Sequence, residues 1–179
     1  NAIRILKQNP PKQWADIPPQ RRPNLWDTSL RVPTAIRWPG VIEPGTVLDQ
    51  TFSNLDWFPT LLAMAGIKPD QKLKLRGDDF TPVLTGRTSR WDSDIYLQYS
   101  MKHQATTHMR GVRTPNWKLM IDLQHEGRVE LYDLQQDPHE RINLASSDTA
   151  HHQEQLRKLK GMVRKHMQST GDPLLKMFP

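Results

Sequence analysis

The chain has 179 residues, no cysteine, and a formal charge of +6 from 25 basic and 19 acidic side chains. The missing cysteines exclude disulfides, zinc–thiolate sites and thiol catalysis within the chain, and no run of about 18 apolar residues offers a membrane-spanning helix. An apolar fraction of 36% is low, but six tryptophans and seven methionines supply core material, so the composition reads as globular with long irregular stretches. No signal peptide is visible at Asn1, which does not look like a natural start.

Residues 1–24 contain NPPKQWADIPPQRRP. Proline fixes φ and removes backbone donors, so this stretch reads as an extended Pro-rich arm without regular structure. Val32, Thr34, Ile36 and Trp38 then alternate between Pro33 and Pro39, the pattern of a short strand. Turns follow at Pro39-Gly40 and Pro44-Gly45. Residues 56–65 read as a short helix. Asp56 is the preferred N-cap because it leaves Pro59 in the first turn, and Gly66 supplies the stop. Trp57, Phe58, Leu61, Leu62 and Met64 leave that helix no polar face, which predicts burial all round. Residues 67–92 form a polar connection.

Residues 94–134 carry the alternation of an antiparallel sheet. Ile95, Leu97 and Tyr99 alternate, as do Trp117, Leu119, Ile121 and Leu123, and Val129 to Leu134 forms a further strand. Asp137-Pro138-His139-Glu140 has the form of a capping box, with Glu140 reaching back to start a helical turn that ends near Asn143. The clearest helix spans 149–169, with Leu156, Leu159, Met162, Val163 and Met167 in one stripe that would pack on the sheet, and Gly171-Asp172-Pro173 ends it. The densest basic cluster, RKLKGMVRKH at 157–166, lies on this helix and reads as its solvated face. The expected organisation is therefore an arm at 1–24, an incomplete α/β piece with its connection at 25–92, and a small sheet with one long helix at 93–179.

Five segments occur in an order that resembles the second half of a sulfatase, a hydrolase of the alkaline-phosphatase superfamily. They are LWDTSLRVPTAIRWPG (25–40), NLDWFPTLLAMAG (54–66), MRGVRTPNWKLM (109–120), VELYDLQQDPHERINLA (129–145) and the terminal helix. The resemblance implies the last strand and helix of an alkaline-phosphatase-like α/β domain, followed by a C-terminal four-stranded antiparallel sheet packed on a long helix. It further implies a parent enzyme that hydrolyses sulfate esters with a formylglycine nucleophile and a calcium ion. The nucleophile motif, Cys/Ser-x-Pro/Ala-x-Arg, does not occur here. Nor does the family's Asp-Asn-Gly or Asp-His-Gly metal segment. The chain is therefore expected to be a C-terminal fragment, inactive alone and binding neither cofactor.

The resemblance also suggests site residues. Arg22, four residues before Trp26, occupies a position where many sulfatases place a sulfate-binding cation. His103 and His108 fall in the loop MKHQATTH, which lies near the active-site mouth in the family, and Arg110 follows as an anion-binding candidate. Asp27 and Arg31 read as structural, and no metal ligand is assigned. The implied partners are the N-terminal catalytic part and a sulfated small molecule or glycan, with no nucleic acid and no membrane span. The implied location is exported: periplasmic, secreted or lysosomal. Two alternatives stand beside this reading, a related phosphate mono- or diester hydrolase and a non-catalytic domain for anionic polymers. The upstream nucleophile separates the first, and salt-dependent heparin or DNA binding separates the second.

Overall fold

The computed structural model describes residues 23–102 and 106–179. The chain divides into two compact units: one comprises Pro33–Ile95, and the other the residues up to Val32 together with Tyr96–Pro179.

The larger unit is built on a four-stranded antiparallel sheet in the order β1-β2-β3-β4, a simple meander. Its strands are β1 (Ile95–Lys102), β2 (Thr106–Arg113), β3 (Trp117–Asp122) and β4 (Val129–Asp133). Met109 faces Asp122 across β2 and β3, and Trp117 faces Asp133 across β3 and β4. Alternation then assigns the two faces. One face presents Val112, Leu119, Ile121 and Leu131, which join Leu159, Val163, Met167 and Phe178 in the main core.

Leu159, Val163 and Met167 come from α4 (Ala150–Ser169), whose stripe is the one read from the sequence. Gly171, at a φ of 63°, ends α4 in the left-handed conformation that glycine adopts without strain. Gly171 N donates to Gln168 O and Asp172 N to Met167 O, the paired bonds of a Schellman stop. The basic residues of the 157–166 cluster turn outward, and Arg164 folds over the Phe178 ring and donates to the carbonyls of Phe178 and Pro179.

The smaller unit holds a 3-10 turn (Asn54–Asp56), α2 (Trp57–Met64) and α3 (Thr81–Leu84). Its core is Phe80, Val83 and Leu84, with Phe80 stacked on Phe52 at 4.6 Å and edge-on to Trp91 at 4.7 Å. Three local expectations change here. Residues 31–38 make no strand among the described residues: a ladder needs a neighbouring edge, and Pro33 withholds a donor from it.

Asp56 does precede α2, but its side chain makes no cap bond to that helix. Ser53 caps the 3-10 turn, while Asp56 accepts from Ser53 N at 2.6 Å and from Asp78 N at 2.9 Å. The helix is not buried all round either: Phe58 is 51% and Leu61 53% exposed, whereas Pro59 and Thr60 are buried.

Candidate functional site

The second face of the sheet carries Met109, Arg113, Lys118, Met120, Glu130 and Tyr132, and on it lies the segment 23–30 with its short helix α1 (Asp27–Leu30). Leu25 packs on Met109 and Met120, flanked by Leu97 and Tyr99. Around that apolar plug the contacts are polar and long-range. Trp26 Nε1 donates to Glu130 Oε2 at 2.9 Å, and the Tyr132 hydroxyl donates to the same oxygen at 2.8 Å. Arg128 Nη2 donates to the Pro23 carbonyl at 2.8 Å.

Asp27 is the centre of the grip. Lys118 Nζ, only 1% exposed, bridges Asp27 Oδ1 and Glu140 Oε1 at 2.7 Å each. Arg113 Nε reaches Asp27 Oδ2 at 3.1 Å, and Asp27 N donates to Glu140 Oε2 at 2.6 Å. Burial alone would raise the Asp27 carboxyl, but Lys118 and Arg113 together hold it below the ordinary carboxylate range. Burial raises Glu140, and a lysine it shares with Asp27 does not offset that.

Glu140 therefore does not reach back in a capping box. Its φ of 54° is left-handed, rare for a residue with a side chain, and aims the carboxylate at Lys118 and Asp27. No helix follows it. Asp137 Oδ2 instead accepts from Arg141 N at 2.6 Å and Ile142 N at 2.8 Å to close a turn. Strain of this kind costs about 1–3 kcal/mol and persists only where surrounding contacts over-determine it.

A second cluster sits at the end of the sheet where β3 turns into β4. The Asp122 carboxylate accepts from Thr107 Oγ1 at 2.6 Å, His108 N at 3.1 Å and Gln124 N at 3.0 Å. It also meets His125 Nδ1 at 3.1 Å and Arg128 Nη1 at 3.2 Å. Burial opposes ionisation of Asp122, but the donors from Thr107, His108, Gln124 and His125 outweigh it and lower its pKa. Arg128 joins the two clusters, since it holds Asp122 with one nitrogen and Pro23 O with another.

The candidate residues read from the sequence fall differently on this frame. Arg22 and His103, with residues 1–22 of the arm, lie outside the described residues. His108 belongs to the Asp122 cluster through its backbone, and its Nδ1 is buried without a hydrogen-bond partner among the described residues. Arg110 is elsewhere, on the α4 face of the sheet.

The Arg110 guanidinium, 4% exposed, forks onto Asp172 at 2.5 and 3.2 Å and also donates to Met109 O. That bidentate pair lowers the Asp172 pKa and ties β2 to the turn after α4, so Arg110 is committed internally rather than offered to an anion. Asp27 is structural, as expected.

Sequence reasoning missed Lys118, Glu130, Asp122 and His125. For Lys118, Asp122 and Glu130 the only signal was polarity on the strand positions that alternate with the core stripe, which reads equally as a solvent face, and His125 read only as part of the turn after β3.

A formylglycine and calcium site does not fit the residues present. The chain has no cysteine and no motif that would supply the nucleophile. Among the described residues no group of three or more His, Asp or Glu is placed to hold a metal.

The meander backed by one long helix, with a tryptophan–aspartate segment gripped on its other face, defines the C-terminal subdomain of a sulfatase of the alkaline-phosphatase superfamily. Residues 21–169 match the family described as N-sulphoglucosamine sulphohydrolase, C-terminal, and the chain belongs to it. It is 26% identical over 169 residues to the steryl-sulfatase of Rattus norvegicus, covering 80% of this chain and 29% of that protein. An ulvan-active sulfatase of Formosa agariphila is 30% identical over 151 residues, covering 68% of this chain and 30% of the relative.

A protein solved in complex with its substrate D-glucosamine-2-N,6-O-disulfate shares the fold with a TM-score of 0.66 at 23% identity, over 76% of this chain and 28% of that one. The chain thus spans under a third of the length of each of these relatives.

Proposed function

We propose that this chain is the C-terminal portion of a sulfatase that hydrolyses sulfate esters, and that its own work is positional. The observation that carries this is the grip on residues 23–30. A sheet and its flanking loops that spend Arg113, Lys118, Arg128, Glu130 and Glu140 on one short segment hold the chain that follows Arg22 in sequence. In this reading Arg22 binds sulfate oxygens through its guanidinium. His103 and His108 contact the substrate at the mouth. Arg110 takes no part, because it is paired with Asp172.

The formylglycine nucleophile and the calcium belong to the part of the parent that this chain does not contain. The parent's substrate is a sulfated small molecule or glycan, a reading supported by a structural relative solved with a sulfated glucosamine. The parent is placed among exported proteins on family resemblance.

The test is kinetic. The full-length protein should turn over an aryl sulfate with calcium present, and Arg22→Ala should lower kcat by about 10²–10³, the usual cost of removing a charge-stabilising donor. The purified 179-residue chain should show no turnover. Robust activity of the chain alone would defeat the assignment, and a parent that cleaves phosphate but not sulfate esters would move it to the related phosphohydrolases.

A further inference from the structure

Helix α4 turns a face of nearly one sign to solvent. At 3.6 residues per turn, Glu154, Arg157, Lys158, Gly161 and Lys165 fall on the side away from the buried Leu159, Val163 and Met167. Arg157, Lys158, Arg164 and Lys165 are exposed, Lys160 is half-buried, and no acidic residue occurs between Glu154 and Asp172. Asp172 is already forked onto Arg110. Glu154 stands three and four residues before Arg157 and Lys158, the spacing of an intrahelical ion pair. Among the described residues, however, Arg157, Lys158, Lys160 and Lys165 have no carboxylate partner. The helix dipole does not account for them either, since it favours cations in the last turn and Arg157 and Lys158 stand well before it.

Gly161 is a second, independent observation on the same face. It lies in the helix interior, where glycine destabilises relative to alanine. Its φ is not left-handed, and no atom lies within 4 Å of the place a Cβ would take. Neither backbone geometry nor packing calls for a glycine there. Its effect is to keep the surface low between Arg157 and Lys165, each four residues away along the same line of the helix. The two cations thus stand at the ends of a shallow saddle, about 12 Å apart along the axis at 1.5 Å per residue.

We propose that this face of α4 binds a linear sulfated polysaccharide, as an anchoring surface separate from the site of ester cleavage. This deepens the sulfatase reading above and rests on it. Helix α4 covers one face of the sheet and Leu25 of segment 23–30 packs on the other, so the two lie on opposite sides of it. The ligand here is therefore a remote stretch of a long chain rather than the reacting ester. The chemistry of the face selects the class of partner. No large apolar side chain of α4 is exposed, so it offers neither the anchors that a protein partner buries nor a wedge into a membrane. The helix carries no Phe, Tyr or Trp on which single-stranded bases would stack. What it presents is a row of cations for a row of anions, and sulfate groups along a polysaccharide supply them.

The probe is a series of heparin oligosaccharides of increasing length, titrated at several salt concentrations against the full-length protein that carries this chain. Affinity should rise with length and fall with salt. Arg157→Gln/Lys158→Gln/Lys165→Gln should weaken binding of the long oligosaccharides by about tenfold or more at low salt and flatten the salt dependence. The same variant should keep kcat/KM on a sulfated monosaccharide within about twofold of wild type, because the anchor makes no contact with so short a substrate. Lys68→Gln/Lys72→Gln/Lys74→Gln removes equal charge from exposed positions of the other unit and should leave the affinity close to wild type. Gly161→Glu sets a carboxylate in the saddle. It should weaken binding while raising the melting temperature, since glutamate is the better helix former, and so separates lost binding from lost folding.

Unchanged binding in the α4 triple variant overturns the proposal. So do equal losses in the two triple variants, which would reduce the effect to net charge. Duplex DNA or anionic vesicles held more tightly than heparin through the same three residues would also overturn it, in favour of another polyanion. A parent that cleaves phosphate but not sulfate esters defeats the sulfatase reading instead, and the heparin titration, which needs no turnover, then decides the α4 face by itself.

Discussion

The two units treat their polar and apolar groups in opposite ways. In the sheet unit every strand has a purpose on both faces: one buries against α4, and the other grips residues 23–30 with a buried lysine, two arginines and two glutamates. The Pro33–Ile95 unit has a compact aromatic nucleus around Phe80, but it leaves Leu55, Phe58 and Leu61 more than half exposed and has no ladder of its own among the described residues. The difference teaches where the stability of this chain is concentrated. Charges buried at 1–4% exposure, as in Lys118 and Arg110, cost several kcal/mol unless paired, so the sheet unit depends on its ion pairs far more than on any one of its surface contacts.

The sharpest way to break this contrast is Lys118→Ala. It leaves Glu140 without its cation and Asp27 with Arg113 only, and should cost about 3–5 kcal/mol, the usual price of orphaning a buried ion pair. Urea unfolding followed by tryptophan fluorescence reads it, and a loss below about 1 kcal/mol would show the grip to be ornamental. Asp172→Asn should cost less, about 1.5–3 kcal/mol, because it weakens a charge-assisted fork while keeping its shape. The same unfolding curve checks it.

Acid titration tests the signs. Asp27, Asp122 and Asp172 are lowered in the fold, so their stabilisation is full above the unfolded value of 3.8 and is lost as the pH falls through their depressed folded values. Glu140 runs the other way. Its folded pKa is raised above 4.5, so its contribution is full below 4.5 and is lost as the pH rises through the folded value. The stability of Glu140→Gln relative to wild type should therefore climb on raising the pH from below 4.5, and a flat difference in melting temperature would refute the assignment. The smallest effect belongs to the other unit: Phe58→Ser, at a half-exposed position, should change stability by no more than about 0.5 kcal/mol.

What could be read locally was read well. Three of the strands, the α4 stripe and its Gly171 stop follow from alternation, a 3.6-residue period and one left-handed glycine, each decided within a few residues, whereas Thr106, Thr107 and His108, read as loop, begin β2. The segments that place the chain in its family are likewise continuous stretches of sequence. The misreadings share one cause. Asp137-Pro-His-Glu140 satisfies the local grammar of a capping box, yet Glu140 serves Asp27, 113 residues earlier. Asp56 suited a helix cap, but the backbone of Asp78, 22 residues on, engages it. Arg110 looked like an anion contact until Asp172, 62 residues later, occupied it.

By itself, then, the sequence determined three strands and the long helix of the sheet unit, its core stripe and its kinship with sulfatases, because periodic burial and short motifs are local. Only the tertiary structure decided which charges meet. A buried cation accepts any carboxylate that the fold brings within about 3 Å, and nothing near Lys118 in the chain announces that Asp27 and Glu140 will be the two that arrive.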